Sequence, residues 1–268
     1  MFEFGFIGCG NMGGALARAV AKRVEGKALL FCDADLAKAE QLASEFGASA
    51  TDDARVVANR CDCIFLGVKP QGFEALFSSI SSVLQARTEP YVLISMAAGL
   101  PIARVQALAG VECPIIRIMP NTPAAVGEGM ILYAVNAQVT PDMTASFCEA
   151  LADAGVLDAI SEEKIDAASA LSGCGPAFVY LFAEALADGA VECGLARDKA
   201  NLYAAQTLLG AAELLLQSGK HPGELKDAVC SPGGTTIAGV HALEEGSFRS
   251  TAMSAVTAAY EKTLRLKK

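Results

Sequence analysis

With 268 residues, a formal net charge of -9 and 53% hydrophobic residues but no Trp, the chain is long enough for one large or two moderate domains whose cores need no staples. Its only run of Lys and Arg is the terminal LRLKK, so its field repels nucleic acid and excludes a nucleic-acid partner. Nine Cys, with no C-x-x-C pair and no His at a zinc spacing, exclude a disulfide framework and a metal site, and predict reduced, mostly buried thiols in a cytoplasmic protein.

The chain opens on MFEFGFIG without a basic leader, and its longest uncharged stretch, 167–183, is interrupted by Gly173, Gly175 and Pro176. A soluble protein with no membrane partner is therefore expected. From residue 2 to 160, short apolar runs alternate with amphipathic segments. FEFGFIG, ALLFCD, CDCIFLGV, YVLISMA, PIIRIMP, MILYAV and GVLDAI each have the length and β-former content of a buried strand. That alternation predicts an α/β fold: a doubly wound, mostly parallel sheet with helices on both faces.

After residue 160 the strand-like runs stop, and Ala/Leu-rich segments at 163–193, 197–218, 235–245 and 248–266 predict an all-α second domain. The boundary is placed at 160/161, giving domains 1–160 and 161–268. Phe178, Leu181, Phe182, Ala185 and Leu186 form one broad apolar stripe, and Leu202, Leu208, Leu209, Leu215 and Leu216 form another. Such stripes fit either self-association into a homo-oligomer or a helical core covered by the first domain.

Two loops carry the chemistry. The first, GFIGCGNMGGAL, places Gly8, Gly10 and Gly13 in a G-x-G-x-x-G spacing between the first strand and the first helix. Gly8 permits a tight turn, Gly10 lets backbone approach a pyrophosphate, Gly13 lets helix and strand pack closely, and the helix N-terminus supplies aligned N–H dipoles. This is the Rossmann dinucleotide fingerprint, and Asp33 ends the second predicted strand at about the expected distance. A carboxylate there accepts hydrogen bonds from the ribose hydroxyls of NAD and repels the 2'-phosphate of NADP, Lys38 being the nearest later cation; alternatively Asp33 caps the helix beginning near Leu36.

Ligands bind outside the carboxyl ends of strands in open α/β sheets. Val68, Lys69 and Pro70 of GVKPQ are therefore expected to line the cofactor cleft, with Lys69 on a ribose or simply at the surface. MAAGL at 96–100 leaves room for a flat ring, and in MPNTP at 119–123 Asn121 and Thr122 offer neutral hydrogen bonds to a nicotinamide. Either turn can also be a plain tight turn.

His221, in an HPG turn, and His241, in an apolar helical stretch, both read as structural. A hydride acceptor that needs no strong protein acid, such as an imine already protonated in solution, suits such a chain. The second loop, VCSPGGTTIAG, meets that need. Pro232, Gly233 and Gly234 hold a close backbone approach, Ser231, Thr235 and Thr236 bring hydroxyls, and the following helix offers free N–H groups to a small carboxylate. Taken alone, the same loop also reads as a helix cap.

GFIGCGNMG, FLGVKPQ, SMAAGL, RIMPNTPAAVGEG, ALSGCGPAF and HPGELKDAVCSPGGTTIAGVHALEEGSFR, in this order over nearly the whole chain, resemble the Δ1-pyrroline-5-carboxylate reductase family, and the last segment is its most specific signature. The resemblance implies NAD(P)H-dependent reduction of the cyclic imine 1-pyrroline-5-carboxylate to L-proline, the last step of proline biosynthesis. It also implies a Rossmann domain followed by an interlocked helical dimerisation domain, with larger rings of dimers in some members. Carried over, the cofactor positions fall on Gly8, Gly10, Asn11, Met12, Gly13, Val68, Lys69, Pro70, Ala98, Asn121 and Thr122.

The family's substrate loop falls on Ser231, Gly233, Gly234, Thr235 and Thr236, with Thr236 at the position that hydrogen-bonds the ring nitrogen. If helices exchange across a dimer, this loop faces the cofactor of the partner subunit. One departure is FCDADLAK, where NADPH-preferring members often carry a neutral residue and an Arg. Family resemblance favours NADPH while the Asp33 charge favours NADH, so use of both is expected. A β-hydroxyacid dehydrogenase is the first rival, but Lys164 precedes SGCG and the Asn that enzyme class needs does not follow. A non-catalytic nucleotide sensor is the second, and it would have no use for an intact SPGGTT.

Overall fold

The computed structural model describes residues 2–266. Two compact units divide it: Met1–Cys174 with Ala259–Lys268, and Gly175–Ala258.

The first unit is built on eight strands, β1 (Phe2–Ile7), β2 (Leu29–Cys32), β3 (Ser49–Thr51), β4 (Cys61–Leu66), β5 (Val92–Ser95), β6 (Ile115–Met119), β7 (Gly129–Val135) and β8 (Gly155–Ala159). They form one sheet in the order β3-β2-β1-β4-β5-β6-β7-β8, parallel except that β7 runs antiparallel to β6. The seven expected strands are all present. β3 is the addition, a three-residue edge strand too short to show a hydrophobic period.

Both faces of the sheet are covered, which is why its strands read as continuous apolar runs. On one face, Leu16 and Val20 of α1 (Asn11–Val20), Leu42 of α2 (Leu36–Ser44) and Phe147 of α6 (Pro141–Ala150) pack with Phe4, Phe6, Phe31 and Phe65. The Phe6 and Phe65 rings stack at 4.5 Å between centroids. On the other face lie Val57 of α3 (Ala54–Arg60), Phe73, Phe77 and Ile80 of α4 (Phe73–Ala86), Val105 of α5 (Ile102–Ala109) and Ile165 of α7 (Glu162–Ser172).

The expected boundary at 160/161 falls just before α7, whereas by packing α7 belongs with the sheet. The reason is a buried ion cluster between Arg117 of β6 and Glu162 and Asp166 of α7. The helix expected over 163–193 is accordingly two helices, separated by a turn at Gly173–Cys174.

The second unit holds α8 (Gly175–Glu192), α9 (Arg197–Ser218), α10 (Pro222–Ala228), α11 (Thr235–Glu245) and the start of α12 (Phe248–Leu266). α10 lacks an apolar stripe and so escapes a periodicity reading; it starts because His221 caps it, its Nδ1 accepting the Gly223 N–H at 3.1 Å. Only Ala187, Ala200 and Ala204 form a buried cluster, small side chains that let α8 and α9 approach closely. The leucine stripes face outward: Leu181 is 69% exposed and Leu216 83%.

Of the nine free cysteines, Cys32, Cys61 and Cys113 are buried and only Cys174 and Cys193 are exposed. One stretch among the described residues, Glu162–Glu192, has the length and apolarity of a membrane span, although the 173–174 turn divides it.

Candidate active site

The first loop is held almost wholly by backbone. β1 runs into Gly8, whose φ of +102° only glycine adopts without strain. Its N–H donates to the Cys32 carbonyl at 2.7 Å, tying the loop to the end of β2. A Cβ on Gly13 would collide with the Gly8 carbonyl oxygen, so α1 starts hard against the turn. Gly10, the N-cap of α1, has no side-chain cap and open space where a Cβ would stand. The first turn of α1 therefore keeps its N–H groups for an anion.

Asp33 does not cap α2, whose N-cap is Asp35. Its Oδ2 accepts the Cys9 N–H at 2.9 Å and its Oδ1 the Asp35 N–H at 3.0 Å, so the carboxylate fastens the glycine loop. Burial, reinforced by the Asp33 charge, pushes the Cys9 and Cys32 thiols up to about 12, and neither adds negative charge to the loop near neutral pH.

A groove of about 170 Å³ beside this loop is lined by residues that include Gly10, Asn11, Gly14, Arg18, Lys38 and Glu45. Arg18 pairs with Glu45 through two bonds of 2.7 and 2.8 Å, and Lys38 with Asp35 at 3.5 Å; both pairs are solvent-exposed. Exposed pairs of this kind are weak enough to exchange partners. Arg18 escaped the sequence reading although Asn11, Gly14 and Arg18 recur on one face of α1, a helical spacing that would have found it.

The other expected cofactor positions follow from strand order. β1, β4, β5 and β6 are adjacent and parallel, so their carboxyl ends lie along one edge, with the switch point between β1 and β4. The Gly67 N–H donates to the Ile7 carbonyl at 2.7 Å and draws the Val68, Lys69 and Pro70 turn against the glycine loop. Val68 packs partly into the core, whereas Lys69, Ala98 and Thr122 are exposed at the rim. Met12 packs inward under the loop. Asn121 differs from the rest. It is buried, its Nδ2 donating to the Ser172 carbonyl and its Oδ1 accepting the Met130 N–H, both at 2.9 Å.

The second loop is closed by its own turn, the Gly234 N–H donating to the Ser231 carbonyl at 3.0 Å with Gly233 at φ +68°. Gly234 caps α11 without a side chain, so here too the helix starts with free N–H groups. Ser231, Gly233, Thr235 and Thr236 are exposed, and beside them along α11 runs a groove of about 470 Å³ that includes Gly233, Gly234, Ile237 and His241. His221 is committed to its cap, and His241 Nε2 lies 3.4 Å from Glu245. No group of three metal-ligating side chains occurs among the described residues.

An open sheet with a glycine loop at its switch point and an uncapped helix behind it defines a Rossmann dinucleotide-binding protein. Residues 3–99 match a family model described as NADP oxidoreductase, coenzyme F420-dependent, and residues 162–266 one described as pyrroline-5-carboxylate reductase dimerisation. The chain is 40% identical to pyrroline-5-carboxylate reductase of Escherichia coli, covering 99% of this chain and 98% of that one, and 40% identical to that of Arabidopsis thaliana, covering 99% and 95%. A crystal structure of Plasmodium falciparum pyrroline carboxylate reductase with NADP bound superposes with a TM-score of 0.89 at 33% identity, covering 100% of this chain and 98% of that one. The chain belongs to the pyrroline-5-carboxylate reductase family, and its helical segment is a dimerisation module.

Proposed function

We propose that this chain reduces 1-pyrroline-5-carboxylate to L-proline with NADPH, and that its two anion loops divide the work, one holding the dinucleotide and the other the substrate carboxylate. The observation that carries this reading is the presence of both uncapped helix N-termini, each behind a glycine turn, in a chain matched end to end by reductases of that name.

When bound, the reduced nicotinamide supplies hydride to the electrophilic carbon of the C=N bond. The chain's own residues hold and orient. Gly8, Gly10, Asn11, Met12 and Gly13 shape the cradle in which the α1 N-terminus meets the pyrophosphate, and Val68, Lys69, Pro70, Ala98 and Thr122 form the rim along the same edge. Gly233 and Thr235 offer backbone N–H groups to the carboxylate, the Gly234 N–H and the Ser231 carbonyl close their turn, and the Thr236 hydroxyl oxygen accepts the N–H of the protonated ring nitrogen. Orientation supplies most of the acceleration, since a protonated imine needs no strong protein acid.

Arg18 and Lys38 supply the positive charge that a 2'-phosphate requires, while Asp33, already bonded to two backbone N–H groups, still suits a ribose hydroxyl. NADPH is the main donor on this reading, and NADH is also used. Residues 1–160 carry the dinucleotide site and 161–268 the substrate-binding and dimerisation helices, the first of which, α7, packs on the sheet. The outward leucine faces of α8 and α9 support a homodimer and rings of dimers on the same surfaces, with no membrane needed to cover them; we place the enzyme in the cytoplasm.

The test is the initial rate of NADPH and of NADH oxidation with pyrroline-5-carboxylate at matched concentrations. Proline formed mole for mole with either donor is expected. Binding of both donors without oxidation would move the nucleotide-sensor reading to the front, and a thousand-fold preference for one would defeat dual use.

A further inference from the structure

Arg117 is the largest of the fully buried side chains, 1% exposed, on a strand whose other buried residues are aliphatic. Its Nη2 donates to Asp166 Oδ1 at 2.6 Å and its Nη1 to Glu162 Oε1 at 3.3 Å, both carboxylates on α7. That same Glu162 oxygen accepts the Ile102 N–H at 2.6 Å, the first of α5. At the far end of α7, the Ser172 carbonyl accepts from Asn121. α7 is thus bonded at one end to the residue where the 96–101 turn becomes α5, and at the other to the 119–123 turn, with Arg117 between them.

Stability alone is a poor reason for this arrangement. A buried ion pair recovers in Coulomb energy little more than its desolvation costs, and an apolar pair of similar volume is often as stable, whereas a fixed fork and carboxylate define one geometry. We infer that α7 is a brace for the cofactor edge, and that Arg117, Asp166 and Asn121 are positioning residues that hold the two neutral turns in register. Asn121 therefore acts through the backbone of its turn, its buried Nδ2 and Oδ1 each bonded within the protein. The inference rests on the reading that these turns line the cofactor.

The experiment separates bracing from stability. Arg117→Met, Arg117→Met/Asp166→Leu and Arg117→Lys are compared with the wild type in three respects: melting temperature without ligand, NADPH affinity by fluorescence titration, and kcat. Arg117→Met is expected to melt early because it leaves Asp166 without this counter-charge. The double variant should recover the melting temperature yet bind NADPH about tenfold more weakly and keep kcat about ten- to a hundredfold low, as displacement of a positioning group by ~1 Å would produce. Arg117→Lys keeps the charge but not the fork, and should lower kcat severalfold with little change in melting.

Recovery of affinity and kcat together with melting temperature in the double variant would overturn the inference. Should that variant fold poorly, wild-type affinity and kcat in Arg117→Lys would overturn it instead. A wild type that binds NADPH but does not turn over would count against the functional reading, while NADPH affinity across the variants would still report on the brace.

Discussion

The two glycine loops present the same feature, an uncapped helix N-terminus, on opposite kinds of foundation. The loop behind β1 is fixed by its surroundings: a Gly8 bond to β2, the Asp33 carboxylate on Cys9, and contact of Gly13 with the Gly8 carbonyl leave it no freedom to reshape. The loop before α11 rests on one internal turn and is exposed, with open space where a Cβ on Gly233 would stand. The first recognises by backbone shape, which suits a large ligand met in a single pose. On the proposed reading the second adds side-chain hydroxyls to its free N–H groups.

If that contrast is right, substitutions should fail in different ways at the two loops. The largest effect is expected at Gly13→Val, where a side chain cannot fit against the Gly8 carbonyl: NADPH affinity should fall by about a hundredfold or more, measured by fluorescence titration, as α1 is levered off the turn. Thr236→Ala comes next. Its kcat should drop about ten- to a hundredfold while NADPH affinity stays put, the pattern of a lost hydrogen bond to the reacting group. Full activity would remove Thr236 from the site.

Asp33→Asn keeps one acceptor, which can serve the Cys9 N–H, and deletes the charge together with the exposed acceptor of the Asp35 N–H. The kcat/KM ratio of NADPH to NADH should move about tenfold toward NADPH, the scale of one unit charge near a phosphate. Smallest is Ser231→Ala, for which a severalfold rise in substrate KM with near-normal kcat is expected from steady-state kinetics. An equal fall in kcat would place Ser231 among the groups that act in the transition state.

Legibility in the sequence follows the same division. Strands buried on both faces announce themselves as apolar runs, and glycine spacing between strand and helix marks the first loop before any coordinates. The helical half is legible in its stripes, because Leu181 and Leu216 sit at helical spacing whether or not anything covers them. What escapes is whatever depends on one pairing far away in the chain. β3 is three residues of edge, α10 begins on a histidine cap, and the 163–193 segment breaks at the 173–174 turn, its first part, α7, being bound to the sheet by Arg117. Asn121 reads as a ligand group from its place after a strand; only the structure reveals that its Nδ2 bonds Ser172 and its Oδ1 Met130. Arg18 was within reach, since its spacing from Asn11 is helical.

The central claim is that the loops do separate jobs, and it is met most directly by the NADPH dissociation constant of Ser231→Ala/Thr236→Ala, titrated by fluorescence beside the wild type. The account predicts a value within about threefold of wild type in a protein whose kcat/KM for the imine has fallen at least about a hundredfold. Loss of NADPH affinity in step with turnover would contradict it, because the second loop would then be part of what holds the dinucleotide.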